Sequence, residues 1–508
     1  MLRKIRITLA VICFALITLL FLDFTGTIHA WFGWLAKIQF LPAVLAANFA
    51  VVAALVIVTL IFGRVYCSVI CPLGVMQDIF GHLGRTKRLG RRNRYTYSKA
   101  LTPLRVILLG VMVIAVIGGI GQIVALLAPY SAYGRIAQNL FAPVYDLVNN
   151  GLAYLAERAD SYAFYAVDIK IGSWIVFGVA ALTFVIVGWL SWRNGRTYCN
   201  TVCPVGTILG YLSRFSLLAP VIDTSKCINC GRCARNCKAA CINAREHAID
   251  YTRCVACMDC IDSCSEGAIS YTRRSKAAAV KKEEKPAQAA AATAPDSNGR
   301  RTFLTVAGVA TASAIIRAQE KKVDGGLAYI ADKVAPKRKT RIVPPGAISL
   351  DNLADHCTAC QLCVASCPNG VLRPSGNIAT FMQPESSYEN GYCRPECTRC
   401  SEACPTGAII KIDRADKSSI QIGHAVWIGD NCLPNSEGVA CGNCARHCPV
   451  GAIQMVKIDP SKEDSLEIPV VNEERCIGCG ACENLCPSRP FSAIYVEGHE
   501  RHLSLIHI

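Results

Sequence analysis

Four long apolar runs dominate the first part of the chain: Ile5–Leu22, Phe40–Phe62, Leu104–Ala128 and Ser173–Trp192. Each is near the ~20 residues a helix needs to cross the hydrocarbon core of a bilayer. Each is almost free of charge, unlike the long core helices of soluble proteins. The pattern predicts four membrane helices in a domain covering residues 1–205. Beyond it the apolar runs shorten and are broken by cysteine-rich turns, over residues 206–272 and again over 351–502. Residues 273–299 are charged and Ala-rich without an apolar period, are interrupted by Pro286 and Pro295, and read as a flexible linker.

A weaker apolar stretch at 300–318 contains most of "GRRTFLTVAGVATASAII" (Gly299–Ile316), followed by a second linker at 319–350. Arg300-Arg301 with Phe303-Leu304 fits a twin-arginine export leader, although leaders belong at N-termini. The apolar core is short for a normal span. It either stays as a fifth membrane anchor or is cut at Ala312-Ser313-Ala314. The last six residues, "LSLIHI" (503–508), are what a sequencing-library adapter encodes, so the natural C-terminus is expected to be missing or altered there.

Charge sets the orientation. A net charge of +16 would suggest nucleic acid in a soluble protein, but here the basic residues lie in loops beside apolar runs, where topology explains them. Arg3, Lys4 and Arg6 open the chain. The stretch from Arg64 to Pro103 carries Arg64, Arg85, Lys87, Arg88, Arg91, Arg92, Arg94 and Lys99 against Asp78 alone, whereas 129–172 carries few cations and more acids. The positive-inside bias places both ends of the four-helix unit and its middle loop in the cytoplasm.

Thirty cysteines add the chemistry. Their fixed short spacings read as metal ligation rather than as a disulfide scaffold. Two related segments, "GRVYCSVICPLG" (Gly63–Gly74) and "GRTYCNTVCPVG" (Gly195–Gly206), share the pattern Gly-Arg-x-Tyr-Cys-x3-Cys-Pro-x-Gly. They close the second and fourth predicted helices, so Cys67, Cys71, Cys199 and Cys203 are expected to emerge together at the cytoplasmic face. Four thiolates there suit one more metal centre or two redox-active pairs. Cys13 reads as a small core residue.

Next come Cys227, Cys230, Cys233 and Cys237, then Cys254, Cys257, Cys260 and Cys264. Three cysteines at C-x2-C-x2-C wrap three corners of a [4Fe–4S] cubane, and the delayed fourth closes the partner motif's cluster. Cys264 should therefore close the first triplet and Cys237 the second. Zinc sites prefer two separated C-x2-C pairs. Cys241 lies outside the pattern and reads as structural. Four more quartets follow: Cys357, Cys360, Cys363, Cys367; Cys393, Cys397, Cys400, Cys404; Cys432, Cys441, Cys444, Cys448; and Cys476, Cys479, Cys482, Cys486. Spacing leaves open whether these pair as neighbours or in a nested order. The total is six [4Fe–4S] clusters on 24 cysteines. The predicted fold class is thus a membrane α-helical domain of four helices, plus a possible fifth anchor, carrying two α+β ferredoxin-like iron–sulfur domains.

On these motifs, residues 1 to about 272 resemble the NapH family, and residues from about 299 to 500 resemble the NapG/MauM family of ferredoxin-type proteins. The resemblance implies a quinol dehydrogenase-type oxidoreductase component in the bacterial inner membrane. It would take electrons from membrane quinol and pass them to a periplasmic reductase, such as nitrate reductase, or to a cytochrome. It would hold two clusters in the cytoplasm and four in the periplasm. The segment "LAPYSAYGR" (Leu127–Arg135) also resembles the NapH type, and Tyr130, Tyr133 and Arg135 are its candidates for lining a quinol pocket, although such residues also serve as interface anchors. The Cys-x3-Cys-Pro motifs also resemble the CcoG family, which implies the alternative of metal handling in copper or oxidase assembly. There is no GxGxxG, P-loop, C-x2-C-H or Ser-His-Asp pattern, so neither nucleotide nor nucleic acid is expected as a partner.

Overall fold

The computed structural model describes residues 1–23, 25–84, 95–167, 169, 171–274, 323–324, 328–329 and 331–504. Most of the predicted linker, the twin-arginine leader, the basic loop Arg85–Arg94 and positions 505–508 lie outside the described residues. Two of the four predicted membrane helices form without interruption. Helix α1 (Leu2–Leu22) and the helix Trp174–Asn194 each have 21 residues, about 30 Å at 1.5 Å per residue, the thickness of a hydrocarbon core. Both are long and apolar enough to cross a membrane, and most of each lies on the surface of the bundle. Exposed Val11, Ile12, Ile57, Ile107, Ile114 and Leu182 carry that apolar surface around the bundle.

The other two predicted helices are broken, and local chemistry explains why. The run Phe40–Phe62 divides into Phe40–Leu45 and α2 (Phe49–Phe62). Ala47 takes a left-handed φ of 51°, and the Asn48 side chain accepts the Val51 N–H to start a new helix. The run Leu104–Ala128 becomes Thr102–Ile117 and Gly121–Leu127. Gly119 at φ 66° stops the first piece, and Pro129 opens a separate helix, Pro129–Ile136, all of whose residues are buried. Residues Ala142–Arg158 then form a further helix in the segment expected to be an outer loop.

The two Cys-x3-Cys-Pro motifs fold alike. In the first, α3 (Val65–Val69) leads through Cys71 into α4 (Pro72–Leu83). In the second, Thr197–Thr201 leads through Cys203 into Pro204–Ser213. Each second cysteine is the N-cap and each proline sits in the first turn, where its missing N–H costs nothing. Helix α4 packs along Trp174–Asn194, with the Phe80 and Phe184 rings 5.3 Å apart. The four thiols are therefore turned into the bundle rather than out at its face, and Cys67, Cys71, Cys199 and Cys203 are only 2–4% exposed.

The inner unit, closed by β1 (Leu218–Ile222) antiparallel to β2 (Ile269–Arg273), docks where α1 begins. Arg3 meets Asp259 at 2.9 Å, Lys238 meets Asp78 at 2.8 Å, and the Arg196 N–H donates to the Lys238 carbonyl at 2.8 Å. The outer unit is built on β3 (Ile420–Trp427) paired with the strand Ile494–Ser504, and on a second ladder of Ile453–Lys457 with Glu467–Val471. It docks where α1 ends. The Arg399 guanidinium donates to the Thr25 carbonyl at 2.8 Å, and Asn139 donates to Gln361 at 2.8 Å inside the contact. The two cysteine-rich units thus sit at opposite ends of one helix about 30 Å long. One apolar core runs from Cys67, Cys71 and Cys203 through Tyr130, Tyr133 and Ile136 to Cys360 and Ala403 of the outer unit. Leu503 and Ser504, expected to be foreign sequence, extend the last strand opposite Gln421 and Ile420.

Candidate iron–sulfur centres

In the inner unit, Cys227, Cys230, Cys233 and Cys264 line one small cavity. A second is lined by Cys237, Cys254, Cys257 and Cys260, with Cys241 as a fifth thiol. The fourth cysteine of each motif is delivered to the partner motif's triplet, as its delayed spacing requires. Cys241 lies 3.5 Å, sulfur to sulfur, from Cys237. Its place against the second cavity was not foreseen from spacing.

In the outer unit the motifs pair as neighbours. Cys367 joins Cys393, Cys397 and Cys400 around one cavity, and Cys404 faces Cys357, Cys360 and Cys363. Cys486 faces Cys432 and Cys444, which in turn face Cys441, and Cys448 faces Cys476 and Cys479. The two pairs meet where the Cys393 N–H donates to the Cys479 carbonyl at 2.9 Å, and Tyr388 beside them donates to the Gly478 carbonyl at 2.7 Å.

The backbone of these loops suits a cluster. In four motifs the residues on either side of the second cysteine are both left-handed: Asn229 and Gly231, Ala256 and Met258, Ala359 and Gln361, Gly478 and Gly480. Such alternation turns successive N–H groups toward one concavity, the nest that receives anionic sulfur. Three residues after the fourth cysteine the chain is left-handed again at Ala240, Gly267, Gly370, Gly407 and Gly451. Thiols collect the resulting N–H bonds: Ala359 to Cys357 at 3.4 Å, Ile409 to Cys404 at 3.4 Å, Ala452 to Cys448 at 3.2 Å and Ala493 to Cys486 at 3.3 Å. Among the described residues no three Cys, His, Asp or Glu side chains converge closely enough to hold a single ion. Three of the quartets instead line small cavities: Cys227, Cys230, Cys233 and Cys264; Cys237, Cys254, Cys257 and Cys260; and Cys367, Cys393, Cys397 and Cys400.

Charged groups missed in the sequence support the sulfur sites. Lys417, 5% exposed, places its ammonium 3.2 Å from Cys393 Sγ while donating to the Arg394 and Cys397 carbonyls. Glu483 beside Cys482 accepts from Arg338 at 2.5 Å and from the Val496 N–H at 2.8 Å; burial raises its pKa and Arg338 offsets part of that. Burial also works to raise Asp259, but Lys238 and Arg3 hold it below the ordinary carboxylate range. No run or spacing announces these residues, because the chain brings them in from other elements.

The two Cys-x3-Cys-Pro motifs exchange arginines. Arg64 of the first reaches the Cys199 carbonyl and Asn200 of the second, at 3.4 and 2.9 Å. Arg196 of the second reaches the Cys67 carbonyl of the first at 2.5 Å and Asp78 at 2.7 Å. The closing glycine of each motif makes room, since a Cβ on Gly74 would stand 2.9 Å from Arg196 and one on Gly206 2.9 Å from Arg64. Gln77 donates to Cys199 Sγ at 3.1 Å and the Gly206 N–H to Cys203 Sγ at 3.3 Å.

Tyr130, Tyr133 and Arg135 are 2%, 0% and 0% exposed. Tyr133 stacks edge-on against Phe14, and Arg135 donates to the Ala125 carbonyl at 2.6 Å. None of the three lines the cleft of 1130 Å³ that opens between the bundle and the outer unit beside Phe21, Asn139, Asp146 and Cys367. The expected pocket at these residues is a packed core, because their helix is wedged against the Cys360 loop.

The family described as "4Fe-4S binding domain" matches residues 44–91 and 174–220, the two stretches that carry the Cys-x3-Cys-Pro motifs, and the "4Fe-4S dicluster domain" matches residues 439–489. The methylamine utilization ferredoxin-type protein MauM of Methylorubrum extorquens is 33% identical over 200 residues, 38% of this chain and 86% of that protein. The ferredoxin-type protein NapG of Escherichia coli is 30% identical over 212 residues, 37% of this chain and 81% of that one. The chain belongs to the MauM and NapG family of ferredoxin-type proteins. NapF of Escherichia coli, another ferredoxin-type protein, is 29% identical over 164 residues, 32% of this chain and 90% of that one. No solved structure matches. As a MauM/NapG relative with two kinds of 4Fe-4S domain, the protein is an iron–sulfur electron carrier. The matches to MauM and NapG cover less than two-fifths of this chain.

Proposed function

We propose that the protein is a membrane-bound carrier with six ferredoxin-type clusters, which accepts electrons from membrane quinol and delivers them to a soluble reductase or cytochrome on the far side of the membrane. The observation that supports it most is the placement of two cysteine-rich units at the two ends of a 21-residue apolar helix. Nests and paired quartets supply the ligands, and clusters supply one-electron chemistry. The protein's own groups hold the sulfur ligands in register, keep water from the buried thiols and aim cations such as Lys417 at them. The cleft beside Cys367 is large enough for a quinol head group, with Phe21 and Leu22 on its apolar side, and replaces the buried Tyr130, Tyr133 and Arg135 as the proposed point of entry. The positive-inside bias supports a cytoplasmic position for the unit at the start of α1 and a periplasmic one for the outer unit.

The test is made on full-length protein purified anaerobically in detergent. Six quartets predict about 24 iron and 24 sulfide per chain, and a soluble quinol analogue should bleach their visible absorbance. Iron near eight per chain with stoichiometric zinc would overturn the cluster assignment. Full iron with no bleaching would overturn quinol as the donor.

A further inference from the structure

One wall of the 1130 Å³ cleft is the helix Ala142–Arg158, and that helix is two-faced. Val144, Val148, Leu152 and Leu155 recur every three or four residues along one side, and all are exposed. Ala142, Asp146, Asn150 and Ala153 recur at the same rhythm along the other side. Ala142 and Asp146 line the cleft, and Ala153 is buried. Asn150 exchanges two hydrogen bonds of 2.8 Å with the backbone of Val167, which fastens a loop that also lines the cleft. An exposed apolar stripe with Tyr145 and Tyr154 beside it suits a helix lying in the membrane interface. Phe21 and Leu22, the last residues of α1, line the same cleft. It therefore opens at the level where a membrane-spanning helix ends.

The chain enters this helix through a π turn at Ala137–Phe141, a rare geometry that concentrates at functional sites. The turn puts Gln138 and Asn139 in the cleft wall. Asn139 donates to Gln361 Oε1 at 2.8 Å, while Gln361 Nε2 and Gln138 Oε1 have no partner. Gln361 follows Cys360 directly, and Cys367 itself lines the cleft, so a molecule held there lies against the ligand loops of two quartets. Among the described residues, nothing hydrogen-bonds to the Asp146 carboxylate or pairs with it, and burial alone raises its pKa above the ordinary carboxylate range. That makes it a better proton acceptor. The ionic groups sharing the cleft are Asp332, Lys333, Arg373, Glu389, Arg394 and Arg489, and its phenols are Tyr165 and Tyr392. None of them shifts Asp146. Arg373 is engaged by Glu385 and Glu389 at 3.3 and 3.0 Å, and Lys333 by the Asn484 carbonyl at 2.6 Å.

We propose that Asp146 is the proton acceptor for a membrane quinol that enters this cleft from the bilayer beneath the helix Ala142–Arg158. The quinol gives up two electrons and two protons. One O–H proton passes to the Asp146 carboxylate and from there to water, and the other passes to water directly. Both C–O bonds become carbonyls. The two electrons leave singly to oxidised iron–sulfur centres at the Cys367 and Cys360 loops, which form part of the cleft wall. Gln138 and Gln361 supply an amide acceptor and an amide donor to orient the quinol oxygens. This rests on the quinol-fed carrier reading, and adds to it the face of entry and the residue that takes the proton.

The test mixes anaerobically purified full-length protein in detergent with duroquinol and follows bleaching of the visible absorbance by stopped flow. A positioned base contributes about 10²–10⁴-fold. Asp146→Asn should therefore bleach about 100-fold more slowly with duroquinol, but at the unmodified rate with dithionite, which needs no proton acceptor. The duroquinol rate of the unmodified chain should fall as pH drops through the titration of the Asp146 carboxyl. Asp146→Glu should keep most of the rate and that inflexion, and the Asn variant should lose the inflexion. Independently of any variant, an azidoquinone photolabel should attach to the unmodified chain within residues 138–146 or 361–374, and duroquinol should compete with it. Should the Asn variant fail to hold its clusters, the Glu variant and the photolabel carry the same test. Equal duroquinol rates in the unmodified and Asn proteins would overturn the role of Asp146 and leave quinol standing as the donor. Labelling confined to another part of the bundle would overturn the cleft as the site. An unmodified chain that bleaches with dithionite and not with duroquinol would remove quinol as the donor, and this proposal with it.

Discussion

Lys417→Gln tests whether the buried ammonium sets the reduction potential of the cluster held by Cys367, Cys393, Cys397 and Cys400. The ammonium stands 3.2 Å from Cys393 Sγ, which places it roughly 6 Å from the centre of a cubane with ordinary iron–sulfur dimensions. At an effective dielectric constant of ~20, one positive charge at ~6 Å changes the energy of one added electron by about 3 kcal/mol. For a one-electron couple this is ~120 mV. Reduction adds negative charge, which the cation favours, so removing it lowers the potential. Redox titration of the full-length protein followed by electron paramagnetic resonance should show one centre moving down by ~100 mV while the others stay within ~20 mV. Lys417→Arg, which keeps the charge, should restore most of the potential. A shift below ~20 mV in the Gln variant, with full iron content, would refute the argument, because it would mean that water or counter-ions screen a site that packing shows as closed.

Asp78 ties α1, the second Cys-x3-Cys-Pro motif and the inner unit together through Arg6, Arg196 and Lys238 at 3.0, 2.7 and 2.8 Å. Asp78→Asn should cost about 3–5 kcal/mol, the penalty of one broken buried pair, because Lys238 retains Asp259 at 3.2 Å while Arg196 retains no acid; denaturant unfolding in detergent measures it. A Cβ on Gly134 would stand 2.3 Å from the Cys360 carbonyl, so Gly134→Val should loosen the outer unit, at about 1–3 kcal/mol for overpacking, and limited proteolysis should release that unit sooner than in the unmodified chain. Burial, with His499 adding to it, lowers the His502 pKa to about 4 against ~6.5 in the unfolded chain. Above pH ~6.5 both states are neutral; below it the unfolded state binds the proton first and stability falls until pH ~4, so the outer unit should lose about 1.4 kcal/mol between pH 7.5 and 5.5, a loss absent in His502→Gln.

What the sequence determined by itself is what local chemistry dictates. The C-x2-C-x2-C spacing and delayed fourth cysteine define crosswise pairs, and in the inner unit Cys264 and Cys237 stand where that rule puts them. The lengths of Leu2–Leu22 and Trp174–Asn194 follow from uninterrupted apolar runs. The breaks at Asn48 and Gly119 were not expected, because a hydropathy run averages over a helix N-cap and a glycine stop. The neighbour pairing in the outer unit was not legible, because neighbouring and nested orders use the same sixteen cysteines at the same spacings. Only the tertiary structure turned the Cys-x3-Cys-Pro thiols inward, since their direction depends on how α4 packs against Trp174–Asn194 rather than on the motif. It alone crossed Arg64 and Arg196 between the two motifs and brought Lys417 to Cys393. The physical reason is common to these cases. A ligand spacing is a property of a few consecutive residues, whereas a charge compensating a buried sulfur site comes from wherever the fold delivers one.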